Sequence, residues 1–243
     1  MRIVAALVLA LVIEGAHANP PPVPQPFVAT YEVTYRGLSA GTLTLTFRPD
    51  GPDGRYVYES RVGPSLLARF VVGADALERS IMEIGADGIR PLEWTLDDGK
   101  RGTARDGALK FDWSNGTVTG RVEDKPVELP IEPGVQDRLS IQIAVASALL
   151  RGEEPGEIRL IDDNRIKHYT YTKKDAVPLD TKLGKLETLL YESVRAKSDR
   201  VSRFWLSAHS EFLPVRVEQI RKGKVEGVIV MTEFKHVDAT TAQ

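Results

Sequence analysis

The feature that most constrains the fold of this chain is an alternation of apolar and polar residues with a period of two. In the first such run, Tyr31, Val33 and Tyr35 are separated by polar residues, and a second run follows almost at once after Gly41. Successive side chains of a β-strand point to opposite faces of the sheet, so each run has one face to bury. The two runs predict two strands joined as an antiparallel hairpin.

The same pattern recurs along most of the chain, and turn dipeptides separate many of the runs. Asp53-Gly54, Asp87-Gly88, Asp106-Gly107 and Asn115-Gly116 are typical of tight turns. Further strands are predicted at residues 55–62, 76–84, 89–96, 109–113, 117–122, 127–131, 156–162, 165–173, 186–195, 201–207, 214–221 and 224–234. The connections are too short for helical crossovers, so the pattern predicts an antiparallel meander.

Residues 136–151 depart from the β pattern and predict one long helix. Asp137 is placed to cap the start of this helix, and Gly152 to end it. Apolar residues, among them Ile141, Val145 and Leu149, surround the segment almost completely, so we expect it to be buried against a sheet. The predicted fold class is mainly β (α+β), a curved antiparallel sheet or half-barrel packed around one buried helix. A single domain is predicted over residues 27–238.

Residues 1–18 are typical of a cleavable secretory signal peptide. Arg2 supplies positive charge, residues 3–13 are an unbroken apolar run, and Ala16 and Ala18 occupy the small-residue positions before the cleavage point. The run is shorter than the roughly 20 residues that cross a bilayer, so we expect cleavage after Ala18, a periplasmic location and no transmembrane anchor in the mature chain. The absence of cysteine excludes a lipidated N-terminal cysteine, disulfides and thiolate metal sites.

The segments that flank the predicted domain have a distinct composition. Residues 19–26 are rich in proline, which removes backbone donors and favours an extended polyproline conformation. We interpret this segment as a tether; a ligand for a proline-recognising partner is the alternative. Residues 239–243 predict a short flexible tail.

Charge and motifs exclude several classes of function. A formal net charge of −2 gives no global electrostatic reason to bind nucleic acid. The chain has no glycine-rich phosphate loop, no serine-nucleophile elbow and no paired-histidine metal motif, and its histidines lack ligand spacing. We therefore predict that the protein is not an enzyme and has no catalytic residue, cofactor or metal. Acidic pairs such as Asp97 with Asp98 are interpreted as solvated turn residues.

The candidate ligand-binding residues are aromatic. They lie on predicted strands whose inner faces would converge in a strongly curved sheet, and they are Trp94, Phe111, Trp113, Phe204 and Trp205. Core packing is the favoured interpretation of these side chains. The functional alternative is that they line a cavity for an apolar ligand.

Two other groups also have a structural and a functional interpretation. Asp137 with Ser140 suggests a site at the helix start, although a helix cap explains the aspartate without further assumption. The basic clusters are interpreted as solvated faces, with contact to phosphate head groups or another polyanionic surface as the alternative. These clusters are Lys100, Arg101 and Arg105, and then Arg195, Lys197, Arg200 and Arg203.

A family resemblance is carried by the order of several short motifs. They are Tyr31-Glu32-Val33-Thr34-Tyr35 with Gly37 and Gly41, Asp137-Arg138-Leu139-Ser140, Phe204-Trp205-Leu206 and Leu213-Pro214-Val215-Arg216-Val217. In this order they resemble the bacterial exported family known as domain of unknown function 3108, which implies a periplasmic protein without an established activity. The closing segment is also similar to the last hairpins of the LolA and LolB lipoprotein carriers, half-barrels that cover a lipid-binding cavity with helices.

These observations support two functional hypotheses. The first is a non-enzymatic periplasmic protein that binds a hydrophobic or lipid-like ligand in cell-envelope maintenance. The alternative is a structural or scaffolding module whose interior is filled by its own helix and which binds another envelope protein. A structure separates the two, because an interior fully packed by Ile141, Val145 and Leu149 leaves no room for a ligand.

Overall fold

The computed structural model of the chain describes residues 19–51, 54–65, 75–100, 102, 104–195 and 198–238. The predicted signal peptide and the predicted tail lie outside the described residues. The proline-rich segment 19–26 has no strand or helix before Phe27, and it lies against the fold. Val23 packs on the largest core cluster, and the Gln25 N–H donates to Glu211 Oε2 at 2.5 Å.

The described residues form sixteen β-strands, one α-helix and one short 3-10 helix. The strands are β1 Phe27–Tyr35, β2 Leu38–Pro49, β3 Arg55–Pro64, β4 Ala76–Gly85, β5 Gly88–Asp97, β6 Gly107–Asp112, β7 Thr117–Val122, β8 Lys125–Pro130, β9 Glu157–Asp162, β10 Arg165–Lys173, β11 Leu179–Thr181, β12 Gly184–Leu186, β13 Leu189–Arg195, β14 Arg200–Leu206, β15 Pro214–Arg221 and β16 Lys224–His236. The helix α1 spans Ser140–Leu150, and the 3-10 helix spans Ala208–Ser210.

Fourteen of these strands form one open antiparallel sheet. Its order is β8-β7-β6-β5-β4-β3-β2-β1-β16-β15-β14-β13-β10-β9, so most strands pair with their neighbours in the chain. The exception at the centre is β1, which pairs with β2 on one side and with the last strand, β16, on the other. The predicted fold class, mainly β with a curved antiparallel sheet around one helix, is confirmed.

The core has three apolar clusters that follow the sheet from its centre outwards. The largest lies around the central strands and contains Phe27, Phe47 and Tyr58, with Leu139 and Ile143 from the helix side. A second cluster is formed mainly by β5 to β9, and a third joins α1 to β13 and β14. The helix therefore connects the central and C-terminal parts of the sheet.

The helix α1 is buried on nearly all sides, as its apolar composition predicts. Ile143 and Ala146 are fully buried. The helix begins at Ser140, later than the predicted residue 136, because Gln136 is held in the sheet: its N–H donates to the Arg159 carbonyl and its carbonyl accepts from the Ile161 N–H. Pairing with β9 thus competes with helix formation at the residues before Ser140.

The two edge strands of the sheet, β9 and β8, differ in how their outer backbone groups are protected from further strand pairing. The β9 edge forms a parallel bridge between Leu160 and Gln136. The β8 edge contains Pro126 and Pro130, which have no backbone N–H, and its Lys125 and Glu128 are exposed. The residues that follow β8 lead from one edge of the sheet to the other.

A separate hairpin of β11 and β12 packs against the large sheet near β16. Leu179, Leu183 and Leu186 of this hairpin pack against the largest cluster. Lys182 in its turn donates to Glu32 Oε1 at 2.6 Å, and Glu32 points away from the face that carries Tyr31. The sequence pattern did not predict this hairpin, because strands of three residues carry no alternating run.

Gly41→Ala is expected to destabilise the fold by about 2–3 kcal/mol. Gly41 has a φ of 142°, and an added Cβ would stand 2.2 Å from the Gly63 carbonyl oxygen of the neighbouring strand. That oxygen belongs to the sheet backbone and cannot withdraw without breaking the pairing of β2 with β3. Denaturant unfolding measures the loss.

Gly37→Ala is the matched control for this prediction. Gly37 also has a positive φ, 79°, but an added Cβ there would meet nothing within 4 Å. Only the cost of a left-handed backbone remains, about 1 kcal/mol. Equal losses for the two variants would show that the close approach of β2 to β3 does not matter.

Candidate ligand-binding cleft

A cavity of about 300 Å³ remains between α1 and the inner face of the sheet. Its sheet wall includes Phe204, Val217 and Ile229, which are direct cross-strand neighbours on β14, β15 and β16. Its helix wall includes Ile141 and Val145. The helix therefore does not fill the interior of the sheet, and the space that remains is mainly apolar.

A second cavity, of about 340 Å³, adjoins the first. The two share the lining residues Arg138, Ile141, Tyr171, Phe204 and Gln219, so we describe them as the inner and outer compartments of one cleft. The outer compartment has a more polar lining, which includes Asp162, Ser193 and Ser202, and it reaches the exposed Arg200. The cleft thus joins an apolar compartment to a more polar one.

Tyr31 brings a polar atom into the wall of the inner compartment. The side chain is 1% exposed, and its hydroxyl has no hydrogen-bond partner among the described residues. Burial raises the pKa of this hydroxyl well above its usual value, so it remains protonated. Tyr58, by contrast, donates to Gln142 Oε1 at 3.0 Å. A buried hydroxyl without a partner costs about 1–3 kcal/mol, so a ligand group that reached Tyr31 would gain an unpaired donor.

Glu78 and Arg138 form an ion pair in the same wall, with 3.4 Å between Glu78 Oε1 and Arg138 Nε. The same carboxylate oxygen accepts from the Trp94 indole N–H at 2.8 Å. Burial raises the pKa of Glu78, and both the Arg138 charge and the Trp94 N–H oppose this shift. The Arg138 side chain is 40% exposed, so a cation lines the cleft and stays accessible to an anionic group.

Asp137 lies beside the cleft and is fully buried. Its Oδ1 accepts from the N–H groups of Leu139 and Ser140, each at 2.8 Å, and its Oδ2 accepts from the Ser80 hydroxyl at 2.5 Å. The Asp137 N–H donates in return to Ser140 Oγ at 2.9 Å. Burial raises the pKa of Asp137 to about 6 against the opposing effect of these hydrogen bonds. Oδ1 thus has the geometry of a helix cap, and Oδ2 links the helix start to Ser80 on β4.

Of the five aromatic residues selected from the sequence, Phe204 lines the cleft. Trp94, Phe111 and Trp113 instead belong to the second core cluster, and Trp94 is only 1% exposed. Trp205 lies on the opposite face of β14 from Phe204, because successive residues of a strand alternate between faces. Trp205 is partly buried against the largest cluster, and the Arg216 guanidinium lies 5.6 Å from its ring centroid. The sheet therefore does not bring the five side chains together around one cavity.

A cluster of carboxylates lies outside the cleft, in the turn after β5. Oxygens of Asp97, Asp98 and Asp106 lie within 4.8 Å of one another. Asp97 accepts from the N–H of Gly99, and Asp98 accepts from the N–H of Lys100. These local hydrogen bonds are typical of acidic residues that stabilise a turn.

Apart from Arg200, a member of the second basic cluster, the polar residues of the cleft were not selected from the sequence. Tyr31 and Arg138 fall within motifs that carried the family resemblance, but nothing in those motifs distinguishes a side chain in a cavity wall from one in a core. Gln142 and Gln219 gave no signal at all. Their position depends on how the helix crosses strands that are far away in the chain.

An open antiparallel sheet that surrounds one helix and leaves an internal cleft defines the class of this protein as a β-rich fold with a hollow interior. The chain belongs to the family described as "Protein of unknown function (DUF3108)", whose profile matches residues 30–230. This match confirms the family resemblance drawn from the motifs. No curated protein sequence matches the chain.

Three solved structures are similar to the chain at low sequence identity. A Brucella abortus protein, described as a beta-barrel-like protein of domain of unknown function DUF1849, has a TM-score of 0.53 and 13% identity, over 88% of this chain and 99% of that one. A Bacteroides fragilis protein described as exported, with a YmcC-like fold, has a TM-score of 0.37 and 11% identity, over 90% and 99% of the two chains. A Parabacteroides distasonis protein described as a lipoprotein has a TM-score of 0.38 and 11% identity, over 90% and 98%.

The Brucella structure supports the fold alone, and the two lower TM-scores do not establish a shared fold. None of these three structures is described as a LolA or LolB carrier, so similarity to those carriers stays a prediction. Among the described residues, no helix is long and apolar enough to cross a membrane.

Proposed function

We propose that the protein works in the periplasm, where it binds a hydrophobic or lipid-like ligand in the cleft and serves maintenance of the cell envelope. The observation that carries this proposal is the inner compartment, an apolar cavity whose wall contains the buried and unpartnered hydroxyl of Tyr31. Ligand sites are typically concave and mostly apolar, with a few polar groups that fix the orientation of the ligand. The inner compartment meets this description.

The polar groups of the cleft define the chemistry of the ligand. Tyr31 donates, so the part of the ligand in the inner compartment carries an acceptor such as a carbonyl or ether oxygen. Arg138 lines both compartments and Arg200 lines the outer one, so an anionic or strongly polar group lies towards the opening. The ligand we propose is therefore amphipathic, with its apolar part inside.

Binding is proposed here without catalysis. Of the two carboxyl groups near the cleft with raised pKa values, the buried Asp137 holds the start of the helix, and the partly buried Glu78 is engaged by Arg138 and Trp94. The alternative of a scaffolding module depends on an interior filled by the helix. The inner compartment argues against that alternative.

Native mass spectrometry of the protein purified from the periplasm tests the proposal. The expected result is a bound species of discrete added mass that is released on denaturation and partitions into organic solvent. Reproducible absence of any such species from the wild-type protein would overturn the proposal.

A matched pair of variants on adjacent residues of β16 locates the ligand. Ile229→Trp places a large ring in the wall of the inner compartment, and we expect the bound fraction to fall strongly because apolar volume is lost. Val228→Trp makes the same kind of change on the opposite face of the strand, and the bound fraction should remain that of the wild type. A ligand retained equally by both variants would lie outside the cleft.

A further inference from the structure

Three turns lie side by side at one end of the sheet. We call them the tip surface, and they consist of residues 35–38, 199–200 and 221–226. The Arg36 N–H donates to the Glu226 carbonyl at 2.7 Å, and the Lys222 N–H donates to the Asp199 carbonyl at 3.3 Å. The antiparallel order of β13 to β16 and β1 brings the three turns to the same end, so they form one continuous surface.

Large apolar side chains protrude from the tip surface. Tyr35 is 50% exposed, Leu38 is 72% exposed and Val225 is 47% exposed. Within the described part of the chain, six large apolar side chains are this exposed, and three of the six lie on the tip surface. The tip surface contains only a small share of the described residues. Arg36 lies 5.1 Å from the centroid of the Tyr35 ring, and the rest of these apolar surfaces faces solvent, so we take their concentration on neighbouring turns as the mark of a contact surface.

Cationic side chains surround these apolar residues. The tip surface carries five basic residues, Arg36, Arg200, Arg221, Lys222 and Lys224, and two acidic ones, Asp199 and Glu226. Arg36 pairs with Glu226 at 2.8 Å, and Arg221 lies 3.8 Å from Asp199. Within the described residues, the other three cations form no ion pair. The tip surface is therefore locally positive on a chain whose net charge is −2.

We propose that the tip surface docks on the anionic surface of a lipid bilayer. Tyr35, Leu38 and Val225 would lie at the boundary between head groups and acyl chains, where tyrosine and short apolar side chains are favoured. Arg200, Lys222 and Lys224 would contact lipid phosphates, since basic residues next to inserted apolar ones bind anionic lipid surfaces. Both parts of the surface are needed, because each alone binds a bilayer weakly.

Lipid is favoured over a protein partner by the composition and shape of this surface. Protein interfaces are depleted of lysine and gain their affinity from well-packed aromatic or arginine anchors in a buried centre. Here Tyr35 and Leu38 stand on one turn and Val225 stands on another beside two lysines, and a fluid surface can adapt around each of these side chains.

Docking of the tip surface would also orient the cleft relative to the bilayer. The docking itself does not require a bound ligand. Arg200 belongs to the tip surface and lines the outer compartment. With the tip surface on a bilayer, the outer compartment opens beside the lipid head groups. A ligand with an anionic group would then pass between membrane and cleft along Arg200.

Flotation of the purified protein with vesicles tests the docking. We expect it to float with vesicles of phosphatidylcholine mixed with phosphatidylglycerol and to stay at the bottom with phosphatidylcholine alone. Added salt should release it, because ionic screening weakens attraction to the surface charge. Failure to float with the anionic vesicles, or equal flotation with both kinds, would overturn the proposal.

Two pairs of variants assign the binding to the tip surface. Leu38→Asp with Val225→Asp, and separately Lys222→Glu with Lys224→Glu, should each lower the bound fraction by roughly tenfold or more. The controls are Val177→Asp, at an exposed valine near the opposite end of β13, and Lys173→Glu with Lys185→Glu, which should bind as the wild type does. Equal losses in test and control variants would overturn the proposal.

The wild type and all variants have the same N-terminal segment, so that segment cannot cause a difference in flotation between them. Any such difference comes from the substituted residues. Circular dichroism of each variant checks that the fold persists, as exposed positions lead us to expect. The proposal of membrane docking and the proposal of ligand binding can also be tested separately. A variant that no longer floats but still carries a bound species by native mass spectrometry has lost the membrane contact alone.

Discussion

Trp94→Ala is expected to lower the free energy of unfolding by about 4 kcal/mol, the largest single effect that we predict. Trp94 is among the largest fully buried side chains, and its removal leaves a cavity between β5, β6 and β7. The substitution also takes a hydrogen-bond donor from the buried Glu78 carboxylate. Gly107 shows how closely this ring is packed, since an added Cβ there would lie 2.5 Å from it.

Trp113→Ala is the matched control in the same cluster. Trp113 is only partly buried, and its indole N–H donates to the Pro91 carbonyl at 2.7 Å. The expected loss is about 1–2 kcal/mol, because less apolar area returns to water. Chemical denaturation of both variants makes the comparison. A loss at Trp94 no greater than the loss at Trp113 would mean that this ring does not hold the sheet together.

Asp137→Asn is expected to raise the free energy of unfolding above pH 6 by up to about 3 kcal/mol and to change it little below about pH 4. The pKa of Asp137 rises from 3.8 to about 6 on folding, so the folded state binds the proton more tightly. Stability from this group is therefore fully present below the unfolded pKa and is lost as the pH rises through the folded one. Asparagine carries no charge and avoids the loss. Its Oδ1 still accepts from the N–H groups of Leu139 and Ser140, and its Nδ2 donates to the Ser80 hydroxyl, which then accepts.

The comparison is made by denaturant unfolding across this pH range, with Asp137→Ala as the second variant. Alanine removes the cap and leaves the Ser80 hydroxyl without its acceptor, so we expect it to be less stable than asparagine by about 1–2 kcal/mol at every pH. Other carboxylates, such as Asp112 with a pKa lowered to about 2, titrate alike in both variants and cancel. If asparagine proved as damaging as alanine at neutral pH, the negative charge itself would be required.

Much of the sheet could be predicted from local pattern. Strands β7, β10 and β15 agree with their predicted bounds at both ends, because each is an alternating run bounded by turn residues. The burial of α1 also followed from its apolar surface. These features depend on a few consecutive residues, and a single sequence carries that information.

Features that depend on distant residues could not be predicted. The pairing of β1 with β16 joins the two ends of the domain, and the bridge of Gln136 to Leu160 delays the start of α1. The cleft exists because side chains on α1 and on strands from both halves of the chain leave a space unfilled. Tyr31 and Phe204 both line that space. The alternating pattern predicts only that a strand residue faces inward, and it does not distinguish a side chain that lines a cavity from one that packs in a core.

The two edge strands of the open sheet affect whether the protein aggregates at high concentration. An open sheet offers unpaired N–H and C=O groups along its outermost strands, and such rows can recruit strands from other molecules into polymers. Gln136 occupies part of the row on β9, and the prolines of β8 interrupt the row of donors on the other side. Strand-by-strand aggregation is thereby hindered at both ends, so the sheet can stay open around its interior without closing on itself or on a neighbour.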